Sequence, residues 1–186
     1  VGGDALFTNE SGTQNTAVGY SSLRNNVSGT QNSAFGYSAL RNSTGNYNTG
    51  IGWSALTSNT TGAYNTSIGT NAMRSNTTGL LNTTIGQNSL GLNETGSRNV
   101  AIGNEALYSS VSIWDQTAIG YRALSSSTTG SSNVAVGSLA LTSNTSGGVN
   151  TAIGKNALQQ NTTGSNNTGV GTQSMSGNTD GSNNVA

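Results

Sequence analysis

Apolar side chains recur along this chain at an interval of seventeen positions. Val18, Phe35, Ile51, Ile68, Ile85, Ile102, Ile119, Val136, Ile153 and Val170 form one column, each followed by Gly. Leu6, Leu23, Leu40, Leu56, Met73, Leu90, Leu107, Leu124, Leu141, Leu158 and Met175 form a second. Small residues precede both, such as Ala17, Ala34 and Ala101 before the first and Ala39, Ala55 and Ala106 before the second. The consensus reads G-x-x-A-L-x-x-N-T-T-G-x-x-N-T-A-I. One interval is sixteen, between Gly36 and Gly52, and in one period Ile113 replaces the Gly of the N-T-T-G segment. A period of this kind marks stacked units, none of which can bury its apolar face alone.

Two bulky apolar residues cannot offset the ordering entropy of seventeen, at roughly 1 to 2 kcal/mol per residue. Stacking can, because each unit then pairs its backbone with the units above and below. The short segments N-T-A-I-G and x-A-L-x, separated by Gly or N-T-T-G, predict two short strands per coil joined by turns. Frequent Gly, β-branched Thr and Ile, and abundant Asn disfavour helix. The expected fold is all-β, a parallel β-solenoid (a β-roll) with one 17-residue repeat per coil. Residues 1–186 read as a single array of eleven repeats, a window from a longer repetitive fibre. At ~3.3 Å per residue the contour is about 56 Å per coil, and eleven coils at ~4.8 Å make a rod about 50 Å long.

Within this fold both apolar columns are expected to line the interior: Ile51, Ile68, Ile85, Ile102, Ile119 and Ile153 with Leu40, Leu56, Leu107, Leu124 and Leu158. Because neighbours in a strand point to opposite faces, the Ala beside each Ile is then an outward residue that lets another chain approach closely. Most Gly are expected at turns needing positive φ. The column Asn15, Asn32, Asn48, Asn65, Asn82, Asn99, Asn133, Asn150, Asn167 and Asn184, with Gln116 in the one remaining place between Asn99 and Asn133, predicts an amide ladder along the axis. The one-residue deletion is expected in the turn around Asn42-Ser43-Thr44-Gly45.

Composition narrows the chemistry. The chain is 31% hydrophobic and 6% charged, with 27 Gly and no Pro, Cys or His. Low hydrophobicity with zero net charge and no Pro is not the signature of disorder. Without Cys there is no thiolate nucleophile or zinc-thiolate site, and without His the commonest general base and metal ligand is missing, so the chain reads as no enzyme, with no catalytic, cofactor-binding or metal residues. Six basic residues balanced by six acidic ones argue against nucleic acid. No apolar run approaches the ~20 residues of a membrane span, so no membrane insertion is expected. Gly50-Ile51-Gly52-Trp53-Ser54-Ala55 matches a dinucleotide fingerprint, but no βαβ unit surrounds it. The six carboxylates are scattered, whereas a calcium-binding roll would repeat Asp in every coil.

Aromatic residues supply the candidate contacts. Tyr20, Tyr37 and Trp53 follow the column Gly on three successive repeats, and Tyr121 shares their place. Such a row can stack on sugar rings, or it can be a stabilising side-chain ladder. The period containing Ser109 to Gln116 departs most from the consensus and carries Trp114, so it is a second candidate contact or a packing site for another chain. Asn-x-Ser/Thr triplets such as Asn59-Thr60-Thr61 and Asn161-Thr162-Thr163 are glycan acceptors in a eukaryotic secretory host. They also arise from the N-T-T turn itself.

The segments Thr117-Ala118-Ile119-Gly120-Tyr121-Arg122-Ala123 and Thr151-Ala152-Ile153-Gly154-Lys155-Asn156-Ala157 resemble the A-I-G-x-x-A core of YadA-like head repeats in trimeric autotransporter adhesins. The full unit, Asn150 to Leu158 followed by Asn161-Thr162-Thr163-Gly164, is similar to repeats in tail-fibre-like proteins of phages and large viruses. The resemblance spans the whole chain, with a longer period and an added Leu column as departures from the adhesin heads. It implies left-handed rolls assembled as a parallel homotrimer. It also implies a place outside the cell, on a cell surface or a virion fibre, and a cell-surface glycan or protein as receptor. The function expected is that of a structural fibre segment that spaces and presents adhesive or receptor-binding parts. The alternative from a different class is an ice-binding solenoid, since Thr16, Thr49, Thr66, Thr83, Thr117, Thr151 and Thr168 also form a column, interrupted by Val100, Val134 and Val185.

Overall fold

A computed structural model describes residues 2–186. Its strands are Thr16–Val18 (β1), Ser33–Phe35 (β2), Thr49–Ile51 (β3), Thr66–Ile68 (β4), Thr83–Ile85 (β5), Val100–Ile102 (β6), Thr117–Ile119 (β7), Val134–Val136 (β8), Thr151–Ile153 (β9) and Thr168–Val170 (β10). They form one parallel sheet in chain order, with every column in register, as in the Ala101↔Ala118 and Ile102↔Ile119 pairs of β6 and β7. Among the described residues there is no helix. The chain is the expected parallel β-solenoid, one repeat per coil.

The interior differs from the expectation at the Ile column. The middle residue of each strand is buried and its neighbours are not. Ile51, Ile85, Ile119 and Ile153 are 38%, 41%, 36% and 42% exposed, and Ile68 and Ile102 are half-buried, whereas Ala101, Ala118, Ala135 and Ala152 have no exposure. The cause is the narrowness of the coil. Leu40, Leu56, Leu107, Leu124 and Leu158 fill its centre from the opposite wall. A Cβ built on Gly50, which sits in the Ala column, would already lie 3.1 Å from Leu40 Cγ. Short side chains occupy the remaining space, Ala in most coils and Gly50, Ser67, Thr84 and Gly169 in the others, and the larger residue beside each is turned outward.

The second expected strand is absent. The x-A-L-x segment is a turn in which Leu adopts left-handed backbone, with φ of 51° at Leu40, 52° at Leu56 and 53° at Leu107. Two further non-glycine residues per coil do the same, for instance Ser54 and Tyr64. Left-handed backbone costs about 1–2 kcal/mol per residue. Burying the Leu side chain returns about 1.5–3 kcal/mol, and each Leu N–H finds the next coil, Leu40 N donating to Ala55 O at 2.9 Å and Leu56 N to Ala72 O at 3.1 Å.

The glycines divide by column. Only those after the outward Ile/Val column, such as Gly52 and Gly120, have positive φ, at 133° and 136°. The turn glycines are required for space instead. A Cβ on Gly62 would stand 2.3 Å from Asn59 Oδ1 and 2.7 Å from Gly79 O. Three N–H groups, of Thr60, Thr61 and Gly62, converge there on Thr77 O at 2.9, 3.1 and 3.1 Å. We expect Gly62→Ala to destabilise the rod by about 1–3 kcal/mol. Gly177→Ala, where nothing lies within 4 Å, should change stability by less than about 0.5 kcal/mol. Equilibrium urea unfolding of both variants measures the difference.

Two polar ladders complete the core. In the first, the expected one, Asn65 N and Nδ2 donate to Asn48 Oδ1 at 3.1 and 3.2 Å, and Asn65 Nδ2 also donates to Gly79 O at 2.8 Å. Gln116 keeps the ladder running, its amide reaching Gly130 O and its Oε1 accepting from Asn133 N. The second ladder follows the Leu side, where Asn76 Nδ2 donates to Asn59 Oδ1 and Asn93 Nδ2 to Asn76 Oδ1, both at 2.7 Å. Its consensus Asn was visible in the sequence, but its burial was not. The deletion falls in the expected turn. Asn59 Nδ2 donates to Ser43 Oγ at 2.9 Å, so Ser43 holds the ladder column and the missing residue lies between it and Gly45. Leu40 stays buried and Phe35↔Ile51 stay paired.

Candidate functional site on the outward sheet face

The outward face is built by alternation around each strand. In the third coil Tyr47 is exposed, Asn48 buried, Thr49 half-buried, Gly50 buried, Ile51 exposed and, beyond Gly52, Trp53 exposed. Repeated along the sheet, this gives a Thr column and an Ile/Val column flanked on both edges by a further column. Among the described residues, the large exposed apolar side chains lie on this face except Phe7, Val27, Leu80, Val111 and Trp114. The sides and back of the coil carry mostly Ser, Thr and Asn, with charged residues such as Arg41, Arg74 and Glu94. The Ile/Val column runs the length of this face as an unbroken exposed apolar stripe, bordered by Thr and by edge columns that mix aromatic with polar residues, and it is the feature that most needs a partner.

The aromatic candidates occupy the edges of this face. Tyr20 stacks on Tyr37 at 5.5 Å and 15°, and Tyr37 on Trp53 at 6.1 Å and 13°. On the other edge Tyr47 stacks on Tyr64 at 4.7 Å and 6°. Rings stacked this way turn their faces along the axis and cover one another, so Tyr37 has neither face open for a sugar. The geometry is that of a side-chain ladder.

Trp114 sits outside the face, 43% exposed, in the coil with the irregular sequence. That coil keeps its core. Ile113, in place of the turn glycine, is 1% exposed. The room for it comes from the second ladder, where Ser110 in the same coil and Ser127 in the next replace Asn. The exchange leaves Asn93 Oδ1 buried without a partner, because the residue one coil on is Ser110; Asn26 Oδ1 is orphaned likewise before Ser43.

Charges pair across coils on the surface. Arg98 holds Asp115 through two bonds of 2.7 and 2.9 Å, and these hydrogen bonds keep the Asp115 carboxyl below its ordinary pKa. Arg24 pairs with Asp4 and Arg122 with Glu105, both at 3.3 Å. Exposed pairs of this kind contribute little to stability. Asn59 and Asn161, the glycan acceptors singled out in the sequence, are fully buried in the second ladder. No family model, curated protein or solved structure matches the chain.

Proposed function

We propose that this chain is a structural segment of an extracellular or virion fibre, in which parallel copies pack by their outward sheet faces. The observation that carries the reading is the unbroken exposed Ile/Val column, with most of the large exposed apolar side chains gathered on the face around it. A cysteine-free solenoid with Ala and single Leu columns inside has a thin core, and thin cores usually need oligomers. The family resemblance supplies the number of copies, three, and their parallel arrangement. The face turned to the partners is the Thr and Ile/Val face, and the Ala residues first assigned to that role belong to the core. Presentation of receptor-binding parts for a cell-surface glycan or protein follows from the same resemblance.

Replacing Ile85, Ile102 and Ile119 together with Asp tests the reading. Half-exposed in the single chain, they tolerate charge there; buried between chains, each unpaired carboxylate costs several kcal/mol. The circular dichroism spectrum should stay that of the parent while the sedimenting mass falls from three chains to one. A parent chain that sediments as a folded monomer rejects the assembly.

Ice binding remains the second reading, because Thr and Ile/Val columns stand side by side on this same regular face. One face cannot both pack against copies and meet ice. Thermal hysteresis from a monomeric parent would favour ice.

A further inference from the structure

The sequence holds eleven Asn-x-Ser/Thr triplets, and the fold separates them sharply. Asn26, Asn59, Asn76, Asn93, Asn144 and Asn161 lie in the second ladder, and Asn65 and Asn82 in the first; all eight have no solvent exposure. Asn9, Asn42 and Asn166 are exposed. N-glycosylation joins a sugar to the amide nitrogen, replacing one of its two hydrogens. The buried amides spend that nitrogen on the fold. Asn76 Nδ2 donates to Asn59 Oδ1 at 2.7 Å and to Gly79 O at 3.2 Å, and Asn161 Nδ2 to Asn144 Oδ1 and Gly164 O, both at 2.9 Å. Nor is there room, since even a methyl group on the neighbouring turn glycine would lie 2.3 to 2.8 Å from these amide atoms at Gly62 and Gly79.

Glycans are added to the chain before it folds, when burial gives an acceptor no protection. A sugar on any of the eight would then block closure of that coil and remove the template for the next. We infer that this protein acquires its fold only where the N-glycosylation machinery does not meet the unfolded chain. Its coils close in a compartment without that machinery. Asn9, Asn42 and Asn166 are the three acceptors at which a glycan is compatible with the rod. This inference rests on the ladders alone and is independent of the fibre reading.

The test expresses the chain in one eukaryotic cell line by two routes, cytosolic and behind a cleavable secretion signal. Cytosolic chain should have the unmodified mass and resist protease. Chain sent through the secretory pathway should carry glycans on the buried asparagines, digest readily and be retained. Two rescues keep the result interpretable. Tunicamycin should restore secretion of protease-resistant parent chain. So should a variant in which the hydroxyl residue two places after each buried Asn is replaced by Ala, as in Thr61→Ala and Thr78→Ala; it keeps every ladder amide and should bear sugar only at Asn9, Asn42 and Asn166. Secretion of folded parent chain, with sugar on the eight asparagines or without it, overturns the inference, as does failure of both rescues.

Discussion

Asp in place of Ala118, Ala135 and Ala152 abolishes the fold of the central coils rather than the association of the rod. All three side chains have no exposure and belong to one column of the core, packed with the Leu column. They occupy paired positions on three consecutive strands, Ala118↔Ala135 and Ala135↔Ala152. Three carboxylates at successive coil spacing, without counter-ions, would each carry a burial penalty of several kcal/mol and repel one another. Their sum exceeds the whole stability of an ordinary domain, about 5–15 kcal/mol. The expected result is loss of the β circular dichroism signal and of protease resistance at neutral pH. A folded triple variant would mean that the Ala column is not interior. Paired with the Ile85, Ile102 and Ile119 substitutions, this experiment assigns the two faces of the one sheet.

The second large effect is a coupling. In regular coils the turn glycine leaves space that the ladder amides fill; around Ile113 the space is divided the other way, with Ser110 and Ser127 yielding it to the isoleucine. Restoring Asn at 110 and 127 while keeping Ile113 should destabilise by roughly 2–5 kcal/mol, from overpacking and from amides without partners. Adding Ile113→Gly should recover most of the loss, because the ladder then runs unbroken from Asn93 and the orphaned Asn93 Oδ1 gains a donor. Ile113→Gly alone should be destabilising by about 2–4 kcal/mol through the cavity it opens. Thermal unfolding of the four chains gives the coupling directly. Additive losses would show that the three positions do not share one volume.

The periodicity made the solenoid, its register and the place of the deletion legible. Gln116 could be assigned to the first ladder by counting, and Ser43 marks the last residue before the gap. What the period could not decide was which of two adjacent apolar residues faces inward. In Thr117-Ala118-Ile119 the larger residue is the natural choice for a core, and it is the wrong one. The deciding quantity is the width of the coil, which depends on how far Leu107 or Leu124 reaches across it, and no single strand contains that information. Leu in left-handed backbone was hidden for a similar reason. Local propensity disfavours it at every copy, and only the stack makes the conformation worthwhile. Ile113 was conspicuous as an anomaly, but its compensation by Ser110 and Ser127 is spread over two coils and needs the fold to be seen.

The hydrogen bonds of both ladders and of the sheet run along the axis, each coil to the next, and this gives the rod a mechanical character. A load that pulls the two ends of one chain apart acts on these bonds in series. Coils should peel away singly, each releasing about 50 Å of chain at ~3.3 Å per residue less the ~5 Å it spanned in the stack. The force trace expected in an optical trap is a train of evenly spaced small steps, with no single large rupture. The second ladder has no amide rung at Ser110 and Ser127, so a tear that reaches those coils should run through them at lower force. The rod then has a preferred place to give way.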